Sequence, residues 1–298
     1  MQNNQRPTIE WPTVFVTFAM YAAWMLAVFW VAGFSTVAAI ALVSLTVALH
    51  ASLTHETIHG HPFKNPALNA ATVYPALGIM FPYGRFRDTH LAHHLEEELT
   101  DPYDDPESNY LASGDWSRIP APLKALLRFN NTLLGRLTVG PAIGVVFFVA
   151  YDARRFRSEP KILMDWVRHI PAAGVVLALV WLSPMPIWAY LVAAYIGHSI
   201  IRIRTYLEHQ AHENRRGRTA IVEGGGLLSF LFLNNNLHVV HHAHPQIAWY
   251  DLPKAFEQKR DHFLKQNEGY HFGSYGQIFR RFLIHAKDPV PHPHRRLK

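Results

Sequence analysis

The chain has 298 residues, of which 49% are hydrophobic and only 17% are charged. It contains no cysteine, which excludes disulfides, iron-sulfur clusters and thiolate metal sites, so any metal must be bound by imidazole and carboxylate. The net charge of +6 comes from basic residues beside apolar stretches, which favours a membrane surface over nucleic acid as the partner. No linker, low-complexity tract or repeat divides the sequence, and we predict a single domain over residues 1–298.

Two apolar stretches predict four transmembrane helices arranged in two hairpins. The first stretch, residues 11–54, lacks Asp, Glu, Lys and Arg and is interrupted only at Gly33 and Ser35, which leaves room for two helices of roughly 20 residues each. The second stretch breaks at Ser183-Pro184-Met185-Pro186. The predicted spans are approximately 11–32, 35–54, 166–183 and 187–203.

Two shorter apolar stretches, residues 65–84 and 137–151, are expected to enter or lie on the membrane without crossing it. This follows if the histidine clusters described below meet on one side, because an even number of crossings must then separate them. Lys and Arg residues gather on that side, so the positive-inside rule places the clusters in the cytoplasm. The predicted fold is an all-α integral membrane protein with a cytosolic helical cap that holds the histidines.

Three histidine clusters are the main chemical signal. His55 and His59 follow the second span and lie four residues apart, so on a helix both side chains share one face. The other two clusters repeat the pattern H-x-x-H-H, in which one helical turn offers three ring nitrogens. They consist of His90, His93 and His94, and of His238, His241 and His242.

Eight imidazoles are more than one zinc ion can use, so the set fits two metal ions. Imidazole suits zinc, copper, iron and nickel alike, but clusters at a membrane face favour iron for redox work on an apolar substrate. Ligating histidines usually donate their second N–H to an oxygen acceptor. The candidate acceptors by position in the sequence are Glu56, Asp88, Glu208 and Asp251.

Two alternatives come from other classes of protein. His55-Glu56-x-x-His59 is also the H-E-x-x-H signature of zinc metalloproteases, although an intramembrane protease would leave both H-x-x-H-H clusters without a role. A metal transporter would need ligands within the spans, and only His50 and His198 occur in their charge-free parts. For these two, a role beside the substrate channel or the metal ligands competes with hydrogen bonding between helices. The isolated histidines are expected to lie outside the site: His169, His262, His271, His285, His292 and His294.

The motifs together resemble those of the membrane fatty acid desaturase superfamily, whose members carry three histidine boxes. The matching segments are His55-Glu56-x-x-His59-Gly60, His90-x-x-His93-His94, Asn234-x-x-x-His238-x-x-His241-His242 followed by Pro245, and a C-terminal Tyr275-Gly276. The resemblance implies two Fe ions and one further ligand between the last span and the third box. His209 occupies that place, and His212 is its rival.

The resemblance also implies O2-dependent desaturation of a fatty acyl chain in a lipid or acyl carrier. O2 is then a co-substrate, and electrons come from a separate ferredoxin-like donor or b-type cytochrome. The acidic loop 99–106 is similar to the loop after the second box in bacterial desaturases and in carotenoid hydroxylases or ketolases. A lipid or carotenoid hydroxylase or ketolase is therefore the alternative on the same scaffold, and a bacterial inner membrane is the expected location.

Overall fold

The computed structural model describes residues 8–294, which are mostly helical. The helices in chain order are α1 (Trp11–Phe34, with a π-helical turn at Ala27–Val31), α2 (Thr36–Ile58), α3 (Pro66–Thr72), α4 (Tyr83–Leu95), α5 (Ser113–Arg118), α6 (Ala121–Asn130), α7 (Leu133–Thr138), α8 (Gly140–Arg155), α9 (Pro160–Trp181), α10 (Ile187–Thr205), α11 (Leu227–Leu231), α12 (His238–Ala243), α13 (Leu252–Gln258), α14 (Arg260–Gln266) and α15 (Tyr275–Phe282). Two short strands, β1 (Ile221–Val222) and β2 (His271–Phe272), pair in parallel, and isolated β-bridges such as that between His209 and Thr219 are the other β structure within residues 8–294.

Three of these helices are long and apolar enough to cross a membrane: α1, α2 and α9, with 24, 23 and 22 residues. The fourth predicted span corresponds to α10, which has 19 residues and carries Arg202 and Arg204 in its last turn. It is not among the three helices that meet the length and composition of a span. Helix α9 begins at Pro160, earlier than predicted. Its first turns carry charges that end the apolar stretch, but Lys161 and Asp165 neutralise each other at 2.9 Å.

The long helices form two hairpins that share one apolar core. Ser35 separates α1 from α2, and its hydroxyl caps α2 by accepting the N–H of Ala38 at 3.2 Å. Helix α10 packs along α2 at Gly197, where a Cβ would lie 2.6 Å from Val47 and 2.9 Å from the Ser44 carbonyl oxygen. Only glycine allows the two helices to approach this closely.

The chain between α3 and α4 is irregular, and its backbone is held by side chains of the surrounding helices. Non-helical backbone in an apolar bundle needs such partners because no water is present to bond its carbonyl groups. Five ring N–H and hydroxyl groups from α1, α2, α9 and α10 donate to five of these carbonyls at 2.8–3.2 Å. The pairs are Tyr21 with Thr72, His50 with Val73, Tyr190 with Leu77, His198 with Gly78, and His169 with Ile79.

The sequence suggested that His50 and His198 lie beside the substrate channel or the metal ligands, or that they bond to another helix. Hydrogen bonding to irregular backbone is a different role. Both rings bond to the backbone of the irregular segment, and neither belongs to the histidine groups described below. Gly78 permits the contact, since a Cβ there would lie 2.6 Å from His198 Nε2. Neither 65–84 nor 137–151 forms a helix that meets the length and composition of a span.

The remaining segments form a cap at the end of the bundle where α2 and α10 finish. One apolar cluster of the cap packs the third-box helix α12 against α13 and α14, through Val240, Leu252 and Phe263. A second cluster joins the chain after α10 to the C-terminal helix α15, through Leu207, Phe272 and Ile278. The two clusters hold the segments that carry His209 and the third box in fixed positions.

Candidate metal centre

The three histidine boxes lie on helices, as their spacing predicts. His55 lies in the last turn of α2 and His59 caps that helix, while the second box occupies α4 and the third occupies α12. Helix α4 is anchored by Arg85, whose guanidinium donates to both carboxylate oxygens of Asp152 on α8 at 2.9 and 2.8 Å. Both side chains are buried, and the pair fixes the direction in which the second box points.

The histidine side chains gather into two groups, and within each group the ligand atoms lie within 4.8 Å of one another. Group one consists of His55, His59, His90, His94 and His241. Group two consists of His93, His209, His238 and His242. All nine candidate histidines are therefore brought together, and each group mixes residues from different boxes. The two groups adjoin, because the rings of His94 and His242 stack with their centroids 4.2 Å apart.

The distances between ring nitrogens suit ligands of a single ion. His90 Nε2 lies 3.0 Å from His59 Nε2 and 3.1 Å from His94 Nε2 in group one. In group two, His209 Nε2 lies 2.9 Å from His93 Nε2 and 3.2 Å from His238 Nε2. Two nitrogens that bind one first-row metal at about 2.1 Å, at right angles to each other, lie about 3.0 Å apart.

Oxygen acceptors fix the tautomers of several rings so that Nε2 faces the centre of its group. His90 Nδ1 lies 3.1 Å from Glu107, His93 Nδ1 lies 2.8 Å from Asp105, and His238 Nδ1 lies 2.9 Å from the Asn235 side-chain oxygen. These oxygens accept hydrogen bonds, so each Nδ1 carries a proton and the Nε2 lone pair of a neutral ring is free for a metal. In group two, the buried His242 Nε2 has no hydrogen-bond partner within residues 8–294, as a metal-binding nitrogen would.

Sequence reasoning missed Asp105, Glu107 and Asn235 as partners of the histidines. A signal was present for the two carboxylates, because they belong to or adjoin the acidic loop after the second box. Of the acceptors suggested by position, Glu56 lies 3.8 Å from His55 Nδ1 and Glu208 lies 3.6 Å from His238 Nδ1.

The other suggested residues lie elsewhere. Asp88 pairs with Arg87 and Lys161, and Asp251 is exposed. His212, the rival of His209, lies outside both groups and approaches Glu268 at 3.8 Å. The six isolated histidines also lie outside the groups.

The electrostatics of the cap favour neutral imidazole, which is the form that binds metal. Burial, together with the neighbouring rings, holds the pKa of His209, His238, His241 and His242 well below the ordinary value. The same causes lower the pKa of His94 to about 3. Burial would raise the pKa of the Glu107 carboxyl, but the adjacent His90 outweighs it and lowers that pKa to about 2. The centre therefore combines neutral ligands with a negative charge nearby.

His93 is the exception among the rings. Burial alone would lower its pKa, but the hydrogen bond that His93 donates to Asp105 and the charges of Glu107 and Glu208 outweigh burial and raise the pKa to about 9. The surroundings of His93 thus stabilise a positive charge on the ring, and a bound metal ion would supply positive charge at the same place.

Removal of the Asp105 charge should weaken the metal site. We expect Asp105→Asn to lower metal affinity about 10- to 100-fold, because the amide has the size of the carboxylate but no longer raises the basicity of His93, and it accepts from the loop backbone with one oxygen instead of two. The rate at which a chelator removes metal from the purified protein measures the change. Asp104→Asn is the matched control, since Asp104 is exposed in the same loop. Equal release rates for the two variants would contradict the assigned role of Asp105.

The fold and the site define a helical membrane protein with a histidine-rich site that could hold metal ions. A comparison with protein families matches residues 28–274 to the fatty acid desaturase family. No curated protein matches the chain. Because the family match covers most of the sequence, the chain belongs to the fatty acid desaturase family, and the membership indicates an oxidoreductase.

Proposed function

We propose that the protein is a di-iron enzyme that desaturates a fatty acyl chain of a lipid or acyl carrier, with O2 as co-substrate. The observation that carries the proposal is the division of nine histidines into two adjoining groups of metal-ligand geometry. The donor set fits iron, since imidazole is a common iron ligand and each group contains at least four ring nitrogens. Group one and group two would each hold one iron, which supplies O2 activation and one-electron chemistry when bound.

The protein residues hold, orient and shield this centre. Asp105, Glu107 and Asn235 keep protons on Nδ1 of their histidines and so fix the ring orientations. The apolar core of α1, α2, α9 and α10 borders the centre and keeps water from an alkyl chain placed among these helices. Formation of the alkene removes two hydrogens from adjacent carbons and reduces O2 to two waters. The substrate gives two of the four electrons required, and a separate ferredoxin-like or b-type donor gives the others.

The proposal includes four membrane crossings, with the centre on the cytoplasmic side of a bacterial inner membrane. Two hairpins place the ends of α2 and α10 on the same side, and this agrees with the meeting of His59, which caps α2, and His209, which follows α10, in adjoining groups. The burial of α10 against α2 explains how a helix with two arginines at its end could cross. Those arginines lie at the cap end, where the positive-inside rule expects them.

The alternatives are less well supported. A zinc protease would use His55 and His59 with Glu56 as base, but these histidines share a group with three others, and Glu56 is buried with an oxygen 3.3 Å from the backbone N–H of Trp249. A lipid or carotenoid hydroxylase or ketolase would use the same centre and differ in its product. The family match favours desaturation.

The test is expression in a host together with a ferredoxin and its reductase, followed by mass spectrometry of the lipids and metal analysis of the purified protein. We expect new double bonds in acyl chains and two irons per chain. Detection of lipids with added oxygen would contradict desaturation and support the hydroxylase. One zinc and no iron would overturn the proposal.

A further inference from the structure

The C-terminal strap, residues 283–294, crosses the cap beyond the residues that the family match covers. Its backbone bonds to two segments that are distant in sequence. The Leu283 carbonyl accepts the N–H of Leu134 at 2.9 Å, and further along the strap the Val290 carbonyl accepts the N–H of Leu111 at 3.0 Å. The strap therefore joins α7 to the end of the loop that carries Asp105 and Glu107.

Lys287 is the strap residue that contacts the backbone of His209. Its ammonium donates to the backbone carbonyl of His209 at 2.5 Å and to the hydroxyl of Tyr270 at 3.3 Å, and it pairs with Asp288 at 3.0 Å. The side chain is 9% exposed. A buried ammonium is costly unless it is paired and hydrogen-bonded, and here three acceptors satisfy it. The chain thus places a charged group directly against the backbone of the proposed ninth ligand.

Asp288 connects the same pair to the acidic loop. Its carboxylate accepts the hydroxyl of Tyr110, and that hydroxyl oxygen accepts the N–H of Ala211 at 2.8 Å. Ala211 lies two residues after His209. The Tyr110 hydroxyl therefore joins the loop that provides Asp105 to the segment that provides His209, and Asp288 holds that hydroxyl in place.

At the other end of the strap, a contact with Thr100 leads to Asp105. His292 Nε2 lies 3.2 Å from the hydroxyl oxygen of Thr100, whose backbone N–H donates to Asp105 at 2.8 Å. Asp105 in turn holds His93. The contacts of the strap lead to both His93 and His209, and these two histidines belong to group two.

We propose that Lys287 and Asp288 are positioning residues that hold His209 and the Asp105 loop in the geometry needed to bind metal at group two. Neither side chain belongs to the metal groups. The inference rests on the proposed function, since it requires a metal at each group. Loss of the pair removes the hydrogen bond to the His209 carbonyl and weakens metal binding at group two, while group one keeps its five histidines.

The test uses full-length protein in detergent, loaded with iron and challenged with a ferrous chelator under reducing conditions. We expect Lys287→Met to release one of its two irons about 10- to 100-fold faster than wild type, with the second iron released at the wild-type rate. After reoxidation, the remaining iron should give the electron paramagnetic resonance signal of an isolated ferric ion in place of a coupled pair. A general loss of structure would accelerate the release of both irons alike.

Two further variants complete the experiment. Lys287→Met combined with Asp288→Asn removes both charges and should show the same selective release, even where the single variant fails to fold. Lys254→Met is the matched control because Lys254 is exposed on α13. Release of both irons at wild-type rates by the single and the double variant would overturn the inference. Wild-type protein that binds fewer than two irons would instead overturn the proposed function.

Discussion

Replacement of His241 by alanine should lower bound iron from two to about one per chain and remove measurable oxidation of acyl chains. His241 is 2% exposed, and its Nε2 lies 3.1 Å from His94 Nε2 within group one. The alanine removes a ligand nitrogen and leaves a space in the centre of the group. Loss of an outer hydrogen-bond partner already costs about 10- to 100-fold in metal affinity or activity, and we expect a larger loss for a ligand. Iron analysis of purified protein and lipid mass spectrometry measure the two effects.

The matched control for this variant is His244→Ala. His244 lies directly after helix α12, but it is exposed, and its ring packs near Phe263 with the centroids 6.3 Å apart. We expect this variant to keep both irons and the wild-type product. If His241→Ala behaved in the same way as His244→Ala, His241 would not be a ligand.

Arg85→Met should destabilise the protein by about 3–5 kcal/mol, because it leaves the Asp152 carboxylate buried without its charge partner. The Asp152 side chain is 0% exposed, and within residues 8–294 it would keep the indole N–H of Trp166, at 2.8 Å, as its side-chain donor. The midpoint of thermal unfolding in detergent measures the loss. Since Arg85 lies on α4, we also expect the variant to hold iron less tightly than wild type.

The double variant Arg85→Met with Asp152→Asn distinguishes the uncompensated charge from lost packing. It removes both charges and keeps an oxygen acceptor for Trp166, so it should recover most of the stability that the single change loses. An unfolding midpoint as low as that of Arg85→Met would show that the contact of Arg85 with its apolar surroundings, and not the ion pair, stabilises α4.

The sequence was most informative where residue spacing alone decides geometry. The lengths of the stretches without charged residues predicted α1, α2 and α9. The H-x-x-x-H and H-x-x-H-H patterns predicted helix faces that carry histidines. The place of His209 came from resemblance to a family, and the structure brings that residue, not His212, into group two. Helix α10 is not among the three helices that meet the length and composition of a span, and its burial against α2 depends on tertiary packing that hydropathy does not represent.

The features that sequence reasoning missed depend on contacts between distant segments. Spacing shows which side chains share a helix face, but not which helices meet, so the division of the second box between both groups was not predictable. Asp105 reaches His93 because the acidic loop folds back over α4, and His198 reaches Gly78 across 120 residues of sequence. Lys287 was not singled out because a lone lysine near the C-terminus carries no local pattern.

The mixing of boxes within each group has a consequence for the order of events during biosynthesis. Group one takes ligands from all three boxes, and group two takes ligands from the second box, the third box and His209. A nascent chain that has not yet produced His238 therefore lacks part of both sites. If the two groups hold metal as proposed, the complete pair of sites would form only after synthesis of the third box, when the long helices have already been made.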